Sequence, residues 1–180
     1  MKKVVLCIIL FFVFLLIPSC QSNKSVGEKT IEGFLLELYQ VDNTEDYQEL
    51  KEKLSRYLQE ISNSMPRQIG MQTMDPEDFA ELFKPYSAKF KKYCTEDVLQ
   101  ELFRTRYIIK YDQLAWEEEC QFYVRDIQIT KDQGAQYSYT IEIEKRLKDG
   151  STQAKNGEGI VQLDEEGYVN RFIITKRVDF

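Results

Sequence analysis

The stretch CQFYVRDIQITKDQGAQYSYTIEIEKRL, residues 120–147, decides the fold. Its apolar residues recur with a period of two. Cys120, Phe122 and Val124 occupy even positions, whereas Ile127 and Ile129 occupy odd ones, so the alternation slips by one residue at Arg125-Asp126. A β-bulge absorbs such a slip, because an extra residue in one strand resets which face its side chains take. Lys131 to Gly134 carries turn residues. Beyond it Tyr137, Tyr139, Ile141, Ile143 and Leu147 alternate with Ser138, Thr140, Glu142, Glu144 and Arg146, the pattern of a strand with one buried and one wet face. Two further turn signals, at 148–151 and 164–167, bound strands expected at about 158–163 and 168–176. The prediction is an antiparallel meander over about 120–177, with Gly157 and Gly159 at the entry of its third strand. These two glycines have no helix start behind them, which a phosphate-binding loop requires.

Upstream the period changes to that of helices, expected over about 26–106. Ser25-Val-Gly-Glu28 reads as a capping box, followed by Ile31, Phe34, Leu35 and Leu38 at helical spacing. Asp42-Asn43-Thr44 ends that helix and caps a second, whose stripe is Tyr47, Leu50, Leu54, Tyr57, Leu58 and Ile61. Residues 62–74 show no period and read as an exposed loop. Its Met65, Met71 and Met74 are soft, adaptable side chains and candidates for a binding lip. Asp75-Pro76-Glu77-Asp78 has the cap, first-turn proline and acidic first turn of another helix start, Pro85 interrupts it, and Thr95-Glu96-Asp97 caps the next.

Helices followed by a bulged antiparallel sheet is an α+β order. From Phe79 onward it resembles the nuclear transport factor 2-like superfamily, in which the sheet wraps the helices into a cone. The residues that carry the resemblance are FKPYSAKFKKYCTEDVLQELF (83–103), QFYVRDIQI (121–129), YSYTIEIEKRL (137–147), GEGIVQLDEEGYV (157–169) and RFIITK (171–176). A cystatin-like sheet around a helix is the rival architecture. The resemblance implies either a docking scaffold or an enzyme of isomerase or dehydratase type, with an aspartate base in the cone.

The N-terminus reads as an export signal over residues 1–19. Lys2 and Lys3 precede an unbroken apolar run from Val4 to Ile17, shorter than the roughly 20 residues that cross a bilayer. Cys7 inside the run reads as a small hydrophobe. Ile17-Pro18-Ser19-Cys20 resembles the lipobox of bacterial lipoproteins, which implies lipid on the Cys20 sulfur and cleavage just before it. Acyl chains would then hold the protein on the outer membrane or the outer face of the plasma membrane. Residues 20–24 are the expected tether, and 25–180 a single domain.

Charge and composition narrow the functions. Residues 1–19 hold two of the 24 basic and none of the 30 acidic residues, so their removal takes the net charge from −6 to −8. That argues against nucleic acid as a partner. The chain contains no histidine, which excludes Asp–His, Ser–His and Cys–His chemistry and histidine metal ligands. An Asp–Tyr pair remains, with Asp126 as base and Tyr107, Tyr111 or Tyr123 as donor. Glu117-Glu118-Glu119 reads as a solvated acidic turn, since successive side chains do not converge on one cation. No metal or cofactor is expected. Trp116, the only tryptophan, reads as core or as a wall of a ligand pocket. Cys94 and Cys120 could close a disulfide loop worth about 3 kcal/mol, or stay as buried thiols among apolar neighbours. The expected protein is a non-catalytic, lipid-anchored binding or assembly module of the cell envelope. Its partner is an envelope protein, a small apolar ligand or a second copy through the sheet, and the isomerase-like enzyme is the alternative.

Overall fold

The computed structural model describes residues 24–64 and 75–180. The proposed leader, the Ile17–Cys20 motif and Met65, Met71 and Met74 lie outside the described residues. The architecture is α+β, with helices against a curved, unclosed four-stranded antiparallel sheet. Helix α1 (Val26–Tyr39) starts at the expected capping box: the Ser25 hydroxyl accepts from the Glu28 N–H while the Glu28 carboxylate accepts from the Ser25 N–H. Its apolar positions Ile31, Phe34, Leu35 and Leu38 are all buried. Helix α2 (Glu45–Ser64) follows the Asn43 side chain, which accepts from the Glu45 N–H. On its stripe Leu50 is buried, but Leu58 is 56% exposed and faces away from the core.

Helix α3 (Pro76–Leu82) is capped by Asp75, and α4 (Lys84–Phe90) restarts at Phe83 because Pro85 has no N–H to continue the ladder. Helix α5 (Glu96–Arg104) begins at Thr95, whose side chain makes no capping bond; its N–H instead donates to the Val169 carbonyl, tying the helix start to the sheet. The helical part does not stop near residue 106. Arg106 takes a left-handed conformation (φ 56°), a 3-10 turn spans Tyr107–Ile109, and α6 (Lys110–Glu117) follows. The cause is a helical stripe of Ile108, Tyr111 and Ala115, all buried.

Strands β1 (Cys120–Lys131), β2 (Gln136–Leu147), β3 (Thr152–Leu163) and β4 (Val169–Lys176) pair in the order β1-β2-β3-β4. The register of β1 on β2 shifts between Val124 and Asp126, where the sequence slips phase. Gly157 and Gly159 do not sit at a strand entry. They lie inside β3, which begins six residues earlier than the sequence suggests, and face the packed side. A Cβ on Gly159 would stand 2.4 Å from the Ile173 carbonyl oxygen and 2.5 Å from the Tyr139 ring, and one on Gly157 2.7 Å from Val178. Absent side chains here let β4 and the C-terminal residues close over the sheet.

The core lies between the helices and the inner sheet face. It is largely aromatic: Phe34 packs edge-on to Phe90 and Phe172, Tyr111 to Tyr39 and Phe122, and Phe180 leans on Phe122. The tail is held by the Tyr111 hydroxyl, which donates to the Val178 carbonyl at 3.0 Å. Cys94 and Cys120 are buried free thiols. Cys94 pairs with Val169 on the outer side of β4, whereas Cys120 opens β1 opposite Leu147, so the two stand at opposite edges of the sheet, four strand spacings or roughly 19 Å apart along it.

Candidate binding site

Trp116 is carried by the last turn of α6 at the point where the chain leaves for β1. With α1 and α2 joined by a short connection at Val41–Thr44, the ends of these elements leave a cavity of about 530 Å³. Its walls include Trp116, Leu147, Glu45, Glu119, Arg146 and Lys148. Trp116 is 37% exposed, so it belongs to the cavity wall rather than to the sealed core. The Lys51 ammonium lies 3.3 Å from its ring centroid and Tyr47 packs beside it, an arrangement that holds the indole in place through the ring quadrupole. One rim is acidic and the other basic, but the cations are engaged. Lys148 pairs with Glu119 at 2.9 Å, and Arg146 pairs with Glu144 and stacks over Tyr123. A ligand here meets the apolar surfaces of Trp116 and Leu147 among charged and polar neighbours.

A second cavity, about 320 Å³, opens on the other side of the same connection. It is strongly acidic: Glu37, Asp42, Asp46 and Asp112 line it, with Lys89 as counter-charge. Lys89 is committed to Asp46 at 2.5 Å, and Glu37 is engaged by Lys92 at 2.9 Å. Burial therefore dominates at Asp112 and pushes its carboxyl up to about 6; Lys89 opposes this and the Asp46 carboxylate reinforces it. The Tyr86 hydroxyl, within electrostatic reach of Asp112 and Asp46, is buried without a hydrogen-bond partner among the described residues, and burial raises its pKa as well. Sequence reasoning missed Asp112. The signal was available in Ile108, Tyr111 and Ala115, whose helical spacing places Asp112 at the margin of a buried stripe.

The Asp–Tyr pair of the alternative reading is not assembled. Asp126 is exposed on the outer sheet face, where Gln128 donates to it, while Tyr111 is buried on the inner side and Tyr107 packs there against Tyr39. Tyr123 shares the outer face, yet its hydroxyl donates to Gln121 at 2.7 Å. The acidic run after Trp116 is tied to the sheet: Glu118 pairs with Lys145, a buried lysine on the inner face of β2, and Glu119 with Lys148. Among the described residues no group of three or more Cys, Asp or Glu could hold a metal ion, and no helix is long and apolar enough to cross a membrane. Burial pushes the Cys94 thiol up to about 12 and also raises Cys120, so neither is a poised nucleophile. Neither a scan against protein-family models nor a search of curated proteins finds a match to this chain.

Proposed function

We propose that the protein is a non-catalytic binding or assembly module of the cell envelope, built on a nuclear transport factor 2-like cone and held to a membrane by lipid on Cys20. The observation that carries the reading is the half-exposed Trp116 in the wall of the 530 Å³ cavity, covered by Lys51 and flanked by charges of both signs. An amphipathic aromatic held rigid at a surface is the kind of anchor that partners use. Several helices on one sheet face, rather than a single wrapped helix, support the cone over a cystatin-like fold. The interior of that cone is occupied by Tyr39, Tyr107, Tyr111, Phe122 and Phe180 side chains, which leaves little room for a substrate there. An isomerase-like enzyme would have to work at Asp112 instead, whose raised carboxyl is the observation in its favour.

The test has two parts. The N-terminal peptide from membrane-fractionated cells should carry a diacylated Cys20 as its first residue and lose membrane association in Cys20→Ala; an unmodified or differently cut terminus refutes the anchor. Cross-linking in intact envelopes should recover a partner from the native chain and lose it in Trp116→Ala. Unchanged recovery refutes the cavity as the docking site.

A further inference from the structure

Among the described residues the outer edge of β1 is left unpaired over a short segment. β1 is an outer strand of the sheet, so half of its backbone groups have no partner in β2. Two observations fix which half. Phe122 exchanges both backbone hydrogen bonds with Val41, on the side away from β2, at 2.9 and 3.1 Å. At the other end of the strand the Asp132 N–H donates to the Gln136 carbonyl, closing the hairpin. Counting from that closing pair, Thr130, Gln128 and Asp126 exchange bonds with Ser138, Thr140 and Glu142. The N–H and C=O groups of Ile127 and Ile129 therefore point out from the edge.

Among the described residues Val41 covers the edge only at Phe122, and the bulge at Arg125 ends the regular run, with Arg125 held to Glu144 on the outer face. What remains is Ile127-Gln128-Ile129-Thr130: uncharged, rich in β-branched residues and without proline. Edge strands that stay unpaired usually carry charges, prolines or bulges, and these four positions have none.

We infer that this segment pairs with the same segment of a second copy of the chain, antiparallel about a two-fold axis through Gln128, joining two sheets into one. The register follows from self-complementarity. With Gln128 opposite Gln128, Ile127 of each copy meets Ile129 of the other on the inner face, and the outward backbone groups of both isoleucines exchange hydrogen bonds. On the outer face Asp126 meets Thr130, an acceptor opposite a donor. Sliding by two residues in one direction sets Asp126 against Asp132 and Ile127 against Lys131, so the neighbouring register is opposed by charge and by burial of a lysine. The inference goes beyond the binding-module reading and holds whether or not Cys20 carries lipid.

Cysteine cross-linking of the full chain in detergent tests the register. Gln128 of each copy would occupy a non-hydrogen-bonded pair, where Cα atoms lie about 4.5 Å apart, within disulfide range. Gln128→Cys should form a covalent dimer under mild oxidation above the background that the native thiols give in the parent chain. Thr130→Cys should do so only when mixed with Asp126→Cys. Gln128→Glu places two like charges on the axis, beside the two Asp126 carboxylates, and changes only an exposed side chain. Its mass by light scattering should fall to half that of the parent, with an unchanged circular dichroism spectrum. The inference is overturned if the parent is a monomer at every concentration tested, if Gln128→Cys does not cross-link, or if Thr130→Cys cross-links with itself as readily as Gln128→Cys does.

Discussion

Replacing Asp112 with asparagine removes a carboxylate that the fold holds in its less favourable form at neutral pH. Three other helices bring charges to Asp112: α1 contributes Glu37, α2 Asp46 and α4 Lys89, with the Tyr86 hydroxyl nearby. Burial raises the folded-state carboxyl from 3.8 to about 6. Between those values the folded chain binds the proton that the unfolded chain has lost, so this residue's contribution to stability falls as pH rises through that window and is fully unfavourable above it. At about 1.4 kcal/mol per pH unit, the penalty at neutral pH approaches 3 kcal/mol, and water at the cavity mouth reduces it to about 1–3 kcal/mol. Asp112→Asn keeps the shape and removes the charge. Urea titrations followed by Trp116 fluorescence should find the variant more stable than the parent by about 1–3 kcal/mol near pH 7.5 and level with it near pH 4. Comparing the two proteins at each pH cancels the acid sensitivity of Glu28, Glu101, Glu144 and Asp149, whose hydrogen bonds lower their pKa values in both. A variant less stable at pH 7.5, or a difference that does not change with pH, would refute the assignment.

Gly159→Ala drives a methyl group into the Ile173 carbonyl and Tyr139, and should lower stability by about 2 kcal/mol or more, read as a drop in thermal midpoint; an unchanged midpoint would mean that β3 and β4 are not so closely packed. Phe122→Ala opens a cavity among Tyr111, Phe180 and the helices and should cost about 3–5 kcal/mol in the same urea assay. Lys145→Met replaces a buried cation by an apolar chain of similar length and should stay within about 1 kcal/mol of the parent; Glu118→Gln, which leaves that cation without its partner, should cost more. Thiol-reactive dye should label Cys94 and Cys120 only on unfolding, and reductant should leave the thermal midpoint unchanged; a midpoint that falls with reductant would mean that the two can bridge.

The strands were legible because one buried and one wet face force a period of two, and the bulge was legible as a break in that period at Arg125-Asp126. Capping chemistry is equally local, so the starts at Ser25 and Asp75 could be read directly. Helix α6 was missed because it is short, begins after a left-handed Arg106 and runs out into Glu117-Glu118-Glu119, which masks the stripe of Ile108, Tyr111 and Ala115. Gly157 and Gly159 were misplaced for a different reason: what they accommodate, the Ile173 carbonyl and Val178, arrives from 14 or more residues further along the chain. Trp116 could be named as a candidate from its rarity, but its partner Lys51 comes from a helix 65 positions earlier.

By itself, therefore, the sequence determined the α+β order, the strand phase with its bulge, the helix caps at Ser25 and Asp75 and the exclusion of histidine chemistry, because each depends on residues within a few positions of one another or on composition alone. Only the tertiary structure decided that Asp126 and the core tyrosines lie on opposite sides of the sheet, that Cys94 and Cys120 stand at different edges, and that Asp112 meets charged side chains from three other helices. These depend on which distant segments meet, and burial and charge act through space rather than along the chain.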